Sequence, residues 1–214
     1  MSFTVADVVL EARELLLDTL EPYRYSDEFI VRRVNQALRR AAVVRPDLFA
    51  VHTDITCVAG TLQSAPADSV RLMDIIANQD GLAVKEISQD TLDLMVPSWP
   101  GGIAGAIVNW MRYPRDPNRF YVYPPAAGSE TLSVVYSRSP AALAIDGVVP
   151  LPDAYMPCMI DGTCWLMEAI DAEHVESGRA KSFKEAFDAA LAAGLTVRRI
   201  TDADSTGEVL KEVK

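Results

Sequence analysis

The spacing of apolar residues changes twice along this chain, and that change limits the folds open to it. Up to residue 46 they recur at helical spacing; from there to residue 150 they alternate, and after Pro152 the helical period returns. Such a chain is α+β. The N- and C-terminal helix pairs are expected to close into a four-helix bundle, with an antiparallel β-rich domain inserted between them. The implied parts are 1–46, 47–150, 151–196 and a tail, 197–214.

Val5, Val8, Val9, Ala12, Leu15, Leu16 and Leu20 mark one face of the first helix, with Glu11, Arg13, Glu14 and Asp18 elsewhere. Thr4 suits its N-cap, and Glu21-Pro22 is expected to close it. Ser26 opens a second helix, with Asp27 and Glu28 placed favourably against its dipole. Phe29, Ile30, Val34, Ala37, Leu38 and Ala41 form its stripe until Arg45-Pro46. In the third helix Met156, Met159, Ile160, Thr163, Leu166, Met167 and Ile170 lie along one stripe, with Pro157 in the first turn. The polar break "DAEHVESG" precedes a last helix carrying Ala180, Phe183, Phe187, Ala190 and Leu191, with Gly194 as its C′ residue.

Between the helix pairs, Phe49, Val51, Thr53, Ile55 and Cys57 alternate with Ala50, His52, Asp54 and Thr56, the mark of a strand. Gly60 punctuates it, 70–77 reads as another strand, and "NQDG" turns into "LAVKEI". Ser88 caps a short helix to Met95, before a Pro- and Gly-rich loop around Trp99. Then "AIVNWMRYP" and "RFYVYPP" form a hairpin about Asp116-Pro117-Asn118, and "TLSVVYS" is expected beside them as the third strand of an antiparallel meander. The aromatic residues of the hairpin fall on both faces, so that one face packs a core and the other is free to meet a neighbour.

The formal net charge of −10, with a pI near 4.7, disfavours a surface built to grip nucleic acid; it does not exclude DNA sliding past, because an acidic wall repels a polyanion and keeps it from sticking. Cys57, Cys158 and Cys164 are an odd set without paired spacing, and His52 and His174 are the only histidines, so neither a disulfide framework nor a zinc site is expected. No run reaches the roughly 18 apolar residues of a membrane span, and the amino terminus lacks a basic leader. The chain reads as a soluble protein made in the cytoplasm. Phosphate-cradling glycine motifs are absent, and no cofactor is expected. Glu86, Asp90 and Asp93 near Trp99 leave a hydrolytic carboxylate pair open, with a solvated helix face as the plainer reading. Stacking of single-stranded nucleic acid on the hairpin would need a basic groove. Arg112, Arg115 and Arg119 supply some local positive charge in an acidic chain, and Arg115 and Arg119 suit contacts with acidic surfaces of a neighbouring subunit better.

The phrases "SDEFIVRRVNQALRRAAVVRPDLF", "RFYVYPPAAGSETLSVVYSRSPAAL" and "LPDAYMPCMIDGTCWLMEAI" resemble the head-to-tail adaptors of short-tailed bacteriophages, the tail tubular protein A-like family, over nearly the whole chain. The resemblance implies a non-enzymatic virion neck protein without catalytic, metal or cofactor sites. It implies a twelve-membered ring under the portal protein that extends the DNA channel and receives the tail nozzle protein and tail fibres, while double-stranded DNA passes without specific binding. Trp99, Trp110, Arg112, Tyr113, Arg115, Arg119, Tyr121 and Tyr123 become candidates for contact with ring neighbours or nozzle, the prolines fixing edge strands. Ile200, Val209, Leu210 and Val213 become apolar anchors of a portal-binding tail that orders on docking. A siphophage-type head-completion protein and an adaptor-like peptidoglycan hydrolase are the alternatives.

Overall fold

The computed structural model describes residues 2–170 and 178–193. His174, most of the polar break, Gly194 and the tail anchors Ile200, Val209, Leu210 and Val213 lie outside them. The chain divides into two units, one of Met1–Arg45 with Pro140–Lys214 and one of Pro46–Ser139.

The first unit is helical. Helix α1 (Val5–Leu15) begins at Thr4, whose hydroxyl accepts from the Asp7 N–H while the Asp7 carboxylate accepts from the Thr4 N–H. Helix α2 (Asp27–Val44) is capped by Ser26 and stops at Arg45, before Pro46. Helix α1 ends well before Pro22. The chain turns at Leu17, at a φ of 56°, and Asp18 accepts from the N–H groups of Arg24 and Tyr25. Leu20 is therefore not part of the helical stripe and stands in solvent.

Helix α4 (Met156–Glu168) packs against both α1 and α2 and is buried nearly all round, not on one stripe. Cys158, Gly162 and Cys164 are inside along with Met159 and Met167, whereas Met156 is half-buried and Ile170 is exposed beyond the helix end. Helix α5 (178–193) lays Phe187 and Leu191 on this centre. Arg45 donates to the Leu191 carbonyl, and Arg179 donates to the carbonyl of Leu15.

Gly162 sets the approach of α4 to α5: a Cβ there would lie 2.7 Å from two ring carbons of Phe187 and 3.2 Å from the Ala37 methyl. Gly162→Ala is expected to destabilise the unit by about 1–3 kcal/mol through overpacking, measured by urea denaturation. Residues 140–150, placed with the β insertion by the sequence reading, cluster with the helices. The Asn35 side chain bonds both the N–H and the carbonyl of Leu143, and Val5 and Phe3 form backbone bonds with Gly147 and Val149.

The second unit holds two sheets around one core. Strands β1 (Ala50–Thr56) and β3 (Ser69–Asn78) flank β7 (Thr131–Arg138); the other sheet runs β2 (Gly60–Ser64), β6 (Arg119–Ala126), β5 (Asn109–Arg112) and β4 (Lys85–Glu86). The expected meander is thus corrected: β7 leaves the β5–β6 hairpin and inserts between β1 and β3. Burial explains the choice, because between two neighbours Leu132, Val134 and Tyr136 are covered almost completely against Trp110, Phe120 and Val122 of the other sheet. Strand β2 has no alternating signature and is missed by periodicity. It is held by Gln63, whose buried amide bonds the N–H and carbonyl of Val58 and the Gly60 carbonyl.

The crossing from β6 to β7 depends on Gly128 and Glu130. Gly128 has a φ of 109°, and a Cβ there would approach the Ala59 nitrogen to 3.2 Å. The Glu130 carboxylate accepts from the N–H groups of Ala127, Gly128 and Ser129 at 2.8–3.1 Å. These bonds, that of Ala127 foremost, hold its pKa below the ordinary value of 4.5. A depressed pKa gives stability that is complete above the unfolded value and is lost as pH falls through the folded one. Glu130→Gln is therefore expected to destabilise the β unit at neutral pH and to reduce the loss of stability below pH 4.5, read from melting temperatures across the acid range.

Candidate assembly interface

The aromatic residues of the hairpin separate by strand alternation. Trp110, Phe120 and Val122 face the core between the sheets, Trp110 and Phe120 meeting edge to face at 6.5 Å. Met111, Tyr121 and Tyr123 face the other way, where the same unit covers them. Helix α3 (Gln89–Met95), capped by Ser88, and the 3-10 turn Trp99–Gly101 bring Leu92 and Trp99 onto this second face. Trp99 meets Tyr121 edge to face at 5.4 Å and donates its indole N–H to Asp93 at 2.6 Å. The face that sequence leaves free for a neighbour is thus largely occupied by the protein's own Trp99 loop.

The eight candidate residues consequently differ in what they present. Trp110 is fully buried and Trp99 nearly so, and neither offers its ring to solvent. Arg112 lies 4.9 Å over the Trp110 ring, grips Glu86 through two nitrogens and donates to the carbonyls of Leu72 and Met73. Tyr113, Tyr121 and Tyr123 are half-buried, Tyr113 stacking edge-on to Tyr121 at 5.5 Å. Arg115 and Arg119 are exposed at the hairpin tip, Arg119 lying 3.7 Å from Asp116.

That tip is held in place by its connections. Ser69 and Asn118 exchange side-chain bonds, and the Pro117 and Asn118 carbonyls accept from the N–H groups of Leu72 and Ala65. The prolines do not mark an edge, since β6 lies inside its sheet. Pro124 and Pro125 fall where the β2–β6 register slips, a place where a missing N–H interrupts no ladder bond.

Sequence spacing also missed exposed apolar residues near the α3 loop, with Leu94, Met95 and Ile103 between 70% and 93% exposed. Their signal is an apolar pair at the end of a seven-residue helix, too short for one face to bury both.

The carboxylates weighed as a hydrolytic pair have structural engagements. Glu86 is bound by Arg112 and Asp93 by Trp99, while Asp90 stands in the first turn of α3. A polar cleft of about 390 Å³ lies beside Glu86, Asp90 and Arg112. His52 bonds Ser133 across the β1–β7 pair. Burial first of all pushes the Cys57 thiol up to about 11 and those of Cys158 and Cys164 to about 12, so none is a ready nucleophile at neutral pH. Among the described residues no cluster of three or more His, Cys, Asp or Glu side chains could hold a metal, and no helix is long and apolar enough to cross a membrane.

A family model described as SU10 adaptor protein matches residues 3–209, a span that takes in both units. No curated protein matches the chain.

Proposed function

This chain belongs to the SU10 adaptor protein family of phage head-to-tail structural proteins, and we propose that twelve copies form a ring beneath the portal, extend the DNA channel and receive the tail nozzle and fibres. It is a connector subunit and not an enzyme. The observation that carries the reading is the length of the match: it covers the helical unit and the inserted β unit together, and so the whole architecture. Neither peptidoglycan hydrolysis nor a smaller siphophage-type head-completion role is needed to account for it.

Charge and exposed side chains support this placement. A net charge of −10 keeps a polyanion moving past a wall without adsorbing to it. The rigid hairpin tip, with Tyr113, Arg115 and Arg119, meets a ring neighbour or the nozzle, and the buried Trp99 and Trp110 hold it in shape from below. The tail docks on the portal through Ile200, Val209, Leu210 and Val213.

Phage particles assembled without this chain test the reading. They are expected to show packed heads lacking attached tails by electron microscopy, and complete tailed particles would refute it. Deleting 201–214 is expected to abolish retention by immobilised portal rings while leaving the melting temperature unchanged. Unaltered retention would remove the tail from the account.

A further inference from the structure

The helical unit carries two solvent-facing surfaces of opposite charge. The first is the outward side of α1. Val5, Val8, Val9 and Ala12 pack inward, toward α4 and α2, so Leu10, Glu11 and Glu14 point away from the unit. Leu10 is 58% exposed, and neither glutamate has an ion pair among the described residues. The turn that follows adds Leu17 and Leu20, each 83% exposed.

The second surface is a groove of about 450 Å³ among α2, α4 and α5. Val43, Val44, Trp165 and Phe187 line it, Val43 being 69% exposed. Arg39, Arg40 and Lys184 give it a basic edge, relieved only by Asp188, which pairs with Lys184 at 2.6 Å. The Arg40 guanidinium and the Lys184 ammonium lie 4.4 and 5.5 Å from the Trp165 ring, and Arg39 has no ion pair among the described residues. After Glu28, α2 has four arginines and no acid, in a chain whose balance is strongly acidic.

We propose that the outward side of α1 in one copy seats in this groove of the next, Leu10 against Val43 and Trp165, Glu11 and Glu14 against Arg39 and Arg40. The inner side of α1 is already committed to its own α4 and α2, so its outward side cannot reach its own groove. The contact therefore joins copies. It pairs two different patches, which makes it head-to-tail and lets it close into a ring. An apolar centre with a charged rim is the anatomy of a specific interface, and the opposed charges fix partner and register. The apolar floor favours protein over nucleic acid, since phosphate contacts need only the arginines. The inference rests on the ring reading above and adds which faces meet.

Charge exchange on portal rings from the same genome tests it, with native mass as the readout. Glu11→Arg with Glu14→Arg, and separately Arg39→Glu with Arg40→Glu, are each expected to lower the ring-sized complex at least tenfold. All four changes in one chain are expected to restore it. A second measurement mixes a Leu10→Cys copy with a Val43→Cys copy under mild oxidation, the native cysteines being buried. A crosslink between the two copies is expected.

Rings of normal mass from either charge-reversed pair, no rescue by the fourfold variant, or no crosslink within a ring of normal mass would overturn the inference while leaving the ring standing. DNA binding by the wild type that Arg39→Glu with Arg40→Glu abolishes, with ring mass unaffected, would assign the groove to phosphate instead and also overturn it. If the wild type forms no ring on the portal, the ring reading fails and this inference falls with it.

Discussion

Arg13→Ala is expected to cost the helical unit about 3–5 kcal/mol, the penalty of leaving a buried charge without its partner. Arg13 is only 6% exposed, as is Asp18, and their side chains meet at 2.6 Å. The other terminal nitrogen reaches the Tyr25 carbonyl at 2.8 Å and Asp27 at 2.6 Å, while Tyr23 stacks on the guanidinium at 4.0 Å. One side chain thus fastens the end of α1, the following turn and the start of α2. The Asp27 contact adds little, because that carboxylate is largely exposed. Arg13→Met combined with Asp18→Asn is expected to be milder than Arg13→Ala. Neither charge then remains alone, and the single amide oxygen that replaces the carboxylate keeps the shorter bond, from the Arg24 N–H at 2.7 Å, at the cost of the longer one from Tyr25 at 3.2 Å. Urea denaturation of the three proteins measures the difference.

Trp110→Ala is expected to destabilise the β unit by about 3–5 kcal/mol, the usual cost of truncating a large buried aromatic residue. The indole is fully buried among Phe120, Val122, Leu132 and Val134, and its N–H has no partner among the described residues. Trp110→Phe is accordingly expected to cost much less, because it keeps most of the packing and removes an unpaired donor. Thermal melts of both variants, beside Tyr113→Ala and Arg119→Ala, separate a core role from an interface role. The hairpin-tip changes are expected to leave stability nearly untouched and to act on assembly alone.

Local chemistry was legible in the sequence where one segment decides its own structure. Thr4, Ser26 and Ser88 cap the helices they precede, Arg45-Pro46 ends α2, and Asp116-Pro117-Asn118 turns the hairpin. Choices made across space were not legible. Alternation identifies β7 as a strand but carries no information on whether β6 or β1 pairs with it; the sandwich core decides. Arg13 reads as surface because its partners lie on the following turn and on α2. The α4 stripe understates burial because helices on several sides cover the same residues. At the hairpin, aromatic residues on both sheet faces left one face for a neighbour, yet the Trp99 loop, 22 and 24 residues upstream of Tyr121 and Tyr123, covers much of that face.

The central claim is that this acidic two-unit chain assembles on the portal. Its most direct test is the native mass of the purified protein, alone and mixed with portal rings from the same genome. The account predicts a new species whose added mass corresponds to a ring of copies on one portal. A portal mass unchanged at micromolar excess of this protein would contradict it.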